Sequence, residues 1–488
     1  MIIRFWKFFA LIVICLATSA SVWSQKLAPV KIFGHADFAA GEEIRLLVYE
    51  DLLTYTPRVA ASSKIAADGQ FELSCTTPQV LLAQLEIRTS KAEFFIEPSH
   101  SYDLTIDMDP KLFNLYAPQD YDGFLHIVNN NPDKQDLNSK INYFSRFYNA
   151  LFERFSFKIL YDHDAAAYDS VQSVMNEKFD VRNNPYDFYQ AYQFYEMSNL
   201  DRIYWQKEGD SLFNKYLNND HILYNHPSYM NLFNSFYDDY VFMSAKIKME
   251  TILACINQNA NYRQLFDALG ADEFLVNERI RELVIIKSLG QLYLNHPEFD
   301  KNNIVALLQE IRSTSHFPEH KPLVENMLRF VSKFSDEQLV KEVKLKEGNG
   351  KDFSFKKMKG NWVYVYFFRT DCLECVREMQ ILREINEKFK DSLSVVSVCV
   401  DFDKYKLQNL LNKYPQFDWK FVYFNQQYEW LSQLEVNALP DYLLLSPEGE
   451  IYERYLPAPS NGMMDYLTRL FMPEAEKDKN PMFQDRNK

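Results

Sequence analysis

Between Val30 and Met108 polar and apolar positions alternate in short runs, at 43–49, 71–75, 81–87, 94–96 and 102–106, punctuated by Asp68-Gly69 and Glu97-Pro98-Ser99. Successive side chains of a strand point to opposite faces, so alternation between regularly spaced turns predicts half-buried strands. The expected unit, 25–110, is an antiparallel β-sandwich. From 111 to 335 the period changes. Segments 141–157, 186–200, 229–253 and 277–294 carry apolar residues every three or four positions, separated by Asn183-Asn-Pro185, Asn225-His-Pro227 and Asn295-His-Pro297. That spacing puts the apolar residues on one helical face, and the prolines interrupt it. In the last segment the expected stripe is Val276, Ile280, Leu283, Ile286, Leu289 and Tyr293, broadened by Val284 and Ile285. An all-α middle domain is expected. Its many Tyr and Phe residues at helical spacing read as core rather than as a ligand groove. The two Asn-His-Pro copies have flanks that do not align, so they establish no repeat.

A charged, glycine-bearing stretch at 336–350 reads as a linker. Beyond it, at 351–473, strand and helix patterns alternate. The run at 362–368 is apolar and β-preferring, 376–389 is amphipathic, and 393–400 is a second buried run. A short helix at 407–413, strands near 420–424, 439–445 and 451–455, the turn Ser446-Pro-Glu-Gly449, and a closing helix at 463–471 complete an α/β unit. A polar tail follows at 474–488.

A chain of 488 residues exceeds what a single core holds, roughly 250 to 300 residues, which agrees with several domains. Hydrophobic residues at 47% and charged residues at 25% are ordinary for a globular protein. Residues 1–24 differ from the rest: Arg4 and Lys7, an apolar run at 8–17, then small and polar residues. This is the plan of a secretory signal peptide, with Val22 and Ser24 suited to a cut before Gln25. A retained anchor is the alternative reading, and Ile14 before Cys15 argues against lipidation. Removing Arg4 and Lys7 leaves 51 basic against 67 acidic residues, a net charge near -16. Such a surface disfavours nucleic acid and anionic lipid. Cys75, Cys255, Cys372, Cys375 and Cys399 are too sparse for a disulfide framework, and of these Cys372 and Cys375 alone are close in sequence.

The pair Cys372-Leu-Glu-Cys375 follows the 362–368 strand through Arg369-Thr-Asp371 and opens the next helix. The reactive species of a cysteine is its thiolate, which the unpaired N–H groups and partial positive charge of a helix N-terminus stabilise. One turn of spacing brings the second sulfur within reach. Cys372, at the exposed end, is the expected nucleophile toward a substrate disulfide, and Cys375 the expected resolving thiol.

These residues resemble the TlpA-type thioredoxin-like thiol-disulfide oxidoreductases of Gram-negative bacteria. The resemblance covers about 345–473 and rests on Phe353-Ser-Phe355, Lys359-Gly360, C-x-x-C followed by Glu378, the strand ending at Asp401, Leu439-Pro440, and Gly449. It implies a thioredoxin fold with Cys372 and Cys375 as catalytic dithiol. It also implies a cis Pro440 beside them, the Leu439 backbone pairing with an extended substrate segment, and Glu378 able to exchange a proton with a thiol. Glu378 reads equally as a favourable first-turn acid. The runs at 67–73 and 95–98 resemble a β-sandwich domain that often precedes thioredoxin domains in secreted bacterial proteins; no function is carried over from it.

Three departures bear on the chemistry. Asp371 and Glu374 stand where the family usually has Trp and Pro, and negative charge beside Cys372 disfavours its thiolate. A tuning toward disulfide reduction is therefore expected. Gln380 replaces a proline, so an unkinked helix is expected as well.

Elsewhere, His316-Phe-Pro-Glu-His320 has metal-like spacing, but Pro318 interrupts the helix that would align the two rings, and no metal site is expected. A peroxidase of the same fold wants P-x-x-x-T-x-x-C, which the sequence lacks, and neither a phosphate loop nor a G-x-S-x-G elbow occurs. Cys399, in mid-strand, reads as a small buried hydrophobe. The expectation is a periplasmic, cofactor-free thiol-disulfide oxidoreductase whose partners are protein thiols or disulfides and an upstream electron donor, a membrane protein being one candidate. The competing class is a non-catalytic binding protein carrying an inert thioredoxin-like scaffold.

Overall fold

The computed structural model describes residues 27–88, 90–108, 125–131, 136–181, 187–205, 209–219, 221–243, 246–296, 298–333, 340, 343–401, 403–434, 436, 438–454 and 456–471. The expected signal peptide, the expected polar tail, the Asn183-Asn-Pro185 breaker and Pro297 lie outside the described residues.

The N-terminal strands are β1 (Ala28–His35), β2 (Glu43–Tyr49), β3 (Pro57–Lys64), β4 (Gln70–Thr77), β5 (Leu81–Ile87), β6 (Ser90–Ile96), β7 (Ser101–Asp107) and β8 (His126–Asn129). They form two four-stranded sheets, ordered β4-β1-β7-β8 and β3-β2-β5-β6. Apolar residues of both sheets, including Ile32, Leu73, Leu104, Leu46 and Leu85, make one buried cluster, which is what the polar–apolar alternation demands. Two expectations need correction. β1 pairs with β7 in parallel, from Lys31 opposite Ser101 to His35 opposite Thr105, so the first sheet is not purely antiparallel. β8 lies within the stretch expected to be helical; it joins the edge of β7, with His126 opposite Asp107, and its half-exposed residues carry little apolar signal.

The principal middle helices are α1 (Leu137–Leu160), α2 (Ala165–Lys178), α3 (Phe188–Trp205), α4 (Pro227–Phe236), α5 (Tyr262–Leu269), α6 (Glu278–Asn295), α7 (Lys301–Thr314) and α8 (His320–Lys333). The expected single helix over 229–253 is instead three pieces, Pro227–Phe236, Tyr240–Met243 and Met249–Leu253, and the first break falls where Asp239 takes a positive φ of 46°. Val276 precedes α6 and is 65% exposed, so it does not belong to the stripe. Asn277 caps α6 through Arg279 and Ile280, and the helix then buries Ile280, Leu283, Ile286 and Leu289. Two contacts tie the sheets to these helices. Asn138 of α1 accepts from the Phe95 N–H at 2.7 Å and donates to its carbonyl at 2.8 Å, satisfying the edge of β6. Asp51, 3% exposed, accepts from Leu53 N, Thr54 N and the Asn326 amide of α8.

The C-terminal sheet contains β9 (Leu345–Glu347), β10 (Asp352–Phe353), β11 (Trp362–Phe368), β12 (Leu393–Cys399), β13 (Lys420–Tyr423), β14 (Asp441–Leu445) and β15 (Ile451–Glu453). Its order is β10-β9-β13-β12-β11-β14-β15, with β11–β12 and β12–β13 parallel and β14 antiparallel to β11. Helices α9 (Leu373–Phe389), α10 (Lys404–Lys413), α11 (Tyr428–Gln433) and α12 (Met464–Phe471) accompany it. Part of the supposed linker is therefore structural. β9 pairs with β13, and Val340, Val343 and Leu345 are buried in this domain's core. Its Lys and Glu residues hide a strand, second from the sheet's edge, that buries only Leu345 among its three residues.

Candidate active site

β11 is buried from Val363 to Phe368 and ends the central part of the sheet. It delivers the chain through Arg369, Thr370 and Asp371 to α9, whose N-cap is Cys372. Cys372 and Cys375 are joined as a disulfide, with Cα atoms 5.2 Å apart. The two sulfurs differ in access. Cys375 is fully buried, whereas Cys372 is part-exposed and flanked by Leu373 at 78% exposure. The Cys375 N–H donates to the Cys372 sulfur at 3.0 Å, which places that sulfur on the helix's unpaired amides.

Leu439-Pro440 is a cis peptide, and the Leu439 carbonyl oxygen lies 4.0 Å from the Cys372 sulfur. The structure thus places the cis Leu439-Pro440 segment, distant in sequence, beside Cys372. Arg454, 2% exposed, fixes this segment from β15's end. Its guanidinium donates to both Asp441 carboxylate oxygens at 2.8 and 2.7 Å, to the Tyr442 carbonyl at 2.9 Å and to the Leu434 carbonyl at 2.6 Å. Sequence reading missed Arg454; its position just beyond β15 gave no motif to find it by.

Glu378 lies one turn after Cys375 and is 3% exposed. Its carboxylate accepts from the backbone N–H of Ser460 at 2.9 Å and from the Ser460 hydroxyl. It is therefore a buried, anchored acid rather than a solvated first-turn one. The Tyr366 hydroxyl donates to the Cys375 carbonyl at 2.7 Å, and burial pushes the Tyr366 hydroxyl well above the ordinary tyrosine range.

The two acids beside the dithiol, Asp371 and Glu374, each meet a cation. Arg369 Nε contacts Asp371 at 2.7 Å, with Lys406 3.8 Å from its other oxygen, and Arg377 contacts Glu374 at 3.3 Å. The Arg377–Glu374 pair is exposed and worth about 0 to 1 kcal/mol, whereas Arg369 is the better buried partner of Asp371; both pairs offset the acids' charge near Cys372. α9 runs unbroken past Gln380.

Cys399 is fully buried and donates its S–H to Asp401 at 3.3 Å; burial, then the Asp401 charge, push the thiol well above its ordinary range. His320, the second ring of the metal-like motif, is fully buried, with Nδ1 2.8 Å from Glu282 and Nε2 2.8 Å from the Tyr224 hydroxyl. A cavity of about 320 Å³, lined by Phe95, Asn138, Tyr192 and Glu196 among others, lies between the N-terminal sheets and the helices. None of its lining residues belongs to the dithiol.

Residues 335–468 match the Redoxin family. The thiol-disulfide oxidoreductase ResA of Bacillus cereus is 28% identical over 108 residues, 22% of this chain and 61% of the relative. ResA of Bacillus anthracis is 26% identical over 109 residues, with the same shares of 22% and 61%. The chain thus spans 61% of the length of these curated relatives. Among solved structures, a thiol:disulfide interchange protein from Bacteroides sp. is 20% identical, covering 28% of this chain and 88% of that one at a TM-score of 0.25. A thiol-disulfide oxidoreductase from Bacteroides fragilis is also 20% identical, covering 26% and 96% at a TM-score of 0.24. The Redoxin match, the curated relatives and the order of the C-terminal sheet agree: the C-terminal part of this chain is a thioredoxin-like oxidoreductase domain.

Proposed function

We propose that this protein is an extracytoplasmic thiol-disulfide oxidoreductase of the TlpA type that reduces protein disulfides through Cys372 and Cys375. The observation that carries the reading is the placement of Cys372. It is the part-exposed N-cap of α9 at the end of a buried parallel strand, with the Cys375 N–H on its sulfur and the Leu439 carbonyl beside it.

In the reduced form the Cys372 thiolate attacks one sulfur of a substrate disulfide. The new S–S bond forms as the old one breaks, and the departing thiolate takes a proton. Cys375 then loses its proton and attacks the Cys372 sulfur, releasing the second substrate thiol and leaving the Cys372–Cys375 disulfide. The substrate gains two electrons and the domain loses two, so a dithiol donor must return them. Glu378 is the base assigned to the Cys375 proton, held one turn away by Ser460. Leu439 offers its backbone to an extended substrate segment.

Asp371 and Glu374 support the reducing direction, since a carboxylate on either side of Cys372 disfavours the thiolate, and with it the reduced form that a strong oxidant stabilises, to the extent that its paired cation leaves its charge unscreened. Export is supported by the charge pattern of residues 1–24; no helix among the described residues is long and apolar enough to cross a membrane. Substitution of Cys375→Ser tests the reading. It is expected to stall protein substrates as mixed disulfides on Cys372, recoverable under non-reducing conditions and released by dithiothreitol. An empty trap in the presence of a reducible protein disulfide contradicts it.

A further inference from the structure

Beneath the loop that carries Cys372 sits a carboxylate that nothing in the dithiol chemistry above uses. Asp401 follows β12, is 1% exposed, and its carboxylate oxygen Oδ2 accepts from the Thr370 backbone N–H at 2.8 Å and from the Cys399 thiol at 3.3 Å. Its other oxygen, Oδ1, takes no hydrogen bond from the described residues and faces the Lys406 ammonium at 3.5 Å. Lys406 stands on the first turn of α10 and lies 3.8 Å from Asp371, the residue before the nucleophile. One ammonium thus bridges a buried acid and an exposed one, and the buried acid grips the backbone two residues before Cys372.

We propose that Asp401 and Lys406 are positioning residues that hold the Cys372 loop and set the reactivity of its thiol. The proposal rests on the reading of Cys372 as the nucleophile. A buried carboxylate is costly unless donors meet it. Here its partners come from the Cys372 loop itself through Thr370, from β12 through Cys399 and from α10 through Lys406, so the acid's requirement for partners fixes the loop. The charged groups around the nucleophile are then Arg369, Asp371, Glu374, Arg377, Asp401 and Lys406. Among them Lys406 is the cation that faces both Asp371 and Asp401. Removing it leaves more uncompensated negative charge and disfavours the thiolate, whereas removing the Asp401 charge leaves Lys406 to favour it.

The test uses the full-length chain, reduced and then alkylated with iodoacetamide across pH, with modification at Cys372 read by peptide mass spectrometry. Lys406→Gln, a part-exposed position that folding tolerates, is expected to move the midpoint of the Cys372 profile up by about half a unit or more. Asp401→Asn keeps an acceptor for Thr370 and is expected to move the midpoint down. The equilibrium with glutathione should shift in step, toward the disulfide for Lys406→Gln and toward the dithiol for Asp401→Asn. Midpoints unchanged in Lys406→Gln, or moved the opposite way, overturn the proposal. A wild-type Cys372 no more reactive than Cys399 would instead remove the nucleophile reading on which it rests.

Discussion

The backbone N–H of Cys375 points at the sulfur of Cys372 from 3.0 Å, while the Cys375 side chain itself is fully buried. One residue therefore both supports the outer sulfur and hides the inner one. In the reduced protein that asymmetry predicts selective chemistry. At neutral pH iodoacetamide should modify Cys372 at least about tenfold faster than Cys375 or the buried Cys399, because thiolate character and access coincide only at Cys372. Equal labelling of the three, read by mass spectrometry under native conditions, would contradict the assignment of roles.

Arg454 predicts a coupled loss of stability and substrate handling. Arg454→Met removes the guanidinium that meets both oxygens of Asp441 and the Tyr442 and Leu434 carbonyls, leaving a part-buried carboxylate without its cation. A cost of about 3 kcal/mol is expected in urea denaturation of the C-terminal domain, at the lower end for buried pairs because Asp441 keeps some solvent. The KM for a disulfide substrate should rise more than kcat falls, since the Leu439-Pro440 segment next to Asp441 loses its anchor.

Glu378 and Ser460 separate stability from catalysis. Ser460→Ala removes one of the two donors to the buried carboxylate and should cost about 1 to 3 kcal/mol, with the exchange rate little changed. Glu378→Gln should leave the mixed disulfide forming normally but slow its resolution by at least about tenfold, visible as accumulation of the covalent intermediate in rapid quench. Unchanged resolution in Glu378→Gln would leave Glu378 a packing residue.

The middle domain predicts its own pH dependence. His226 caps α4, with Nε2 3.0 Å from the Phe188 carbonyl and Nδ1 accepting from Tyr229, a pattern that suits only the neutral ring; burial lowers its pKa to about 4. The folded value lies below the unfolded value near 6.5, so the stabilisation is full above about pH 6.5 and is lost as pH falls toward 4, about 3 kcal/mol in all. His226→Asn keeps a capping acceptor and removes the titration. The difference in unfolding free energy between variant and wild type should therefore shrink as pH falls from 6.5 to 4. A constant difference would contradict the neutral-ring assignment.

What the sequence disclosed about this fold follows from how each signal is generated. The run at 362–368 reads as a strand because burial on both faces forbids polar residues, and the dithiol reads as a helix start because the amphipathic spacing begins immediately after it. Strands β8 and β9 were opaque for the opposite reason. Each is short, sits toward a sheet edge and buries few side chains, so its composition is that of a loop. The break in the expected 229–253 helix was also hidden, since Asp239 adopts its left-handed conformation amid apolar residues that continue the helical period. Within the site, Cys372, Cys375, Glu378 and Leu439-Pro440 belong to a pattern. Ser460, Arg454, Asp401 and Lys406 act through contacts made across 82, 13, 31 and 35 residues of chain separation, with Glu378, Asp441, Thr370 and Asp371. No local spacing encodes such contacts. The ion pairs on Asp371 and Glu374 likewise became visible only in three dimensions, and they temper the field that those two acids alone suggest.

The most direct measurement is insulin disulfide reduction by the mature chain with dithiothreitol as electron donor, run beside Cys372→Ser and Cys75→Ser. The account predicts turnover well above the dithiothreitol background for the wild type and for Cys75→Ser, and background alone for Cys372→Ser. Turnover that persists in Cys372→Ser, or a wild type indistinguishable from background with every reducible protein disulfide tried, would contradict it and leave a binding protein built on a thioredoxin-like scaffold.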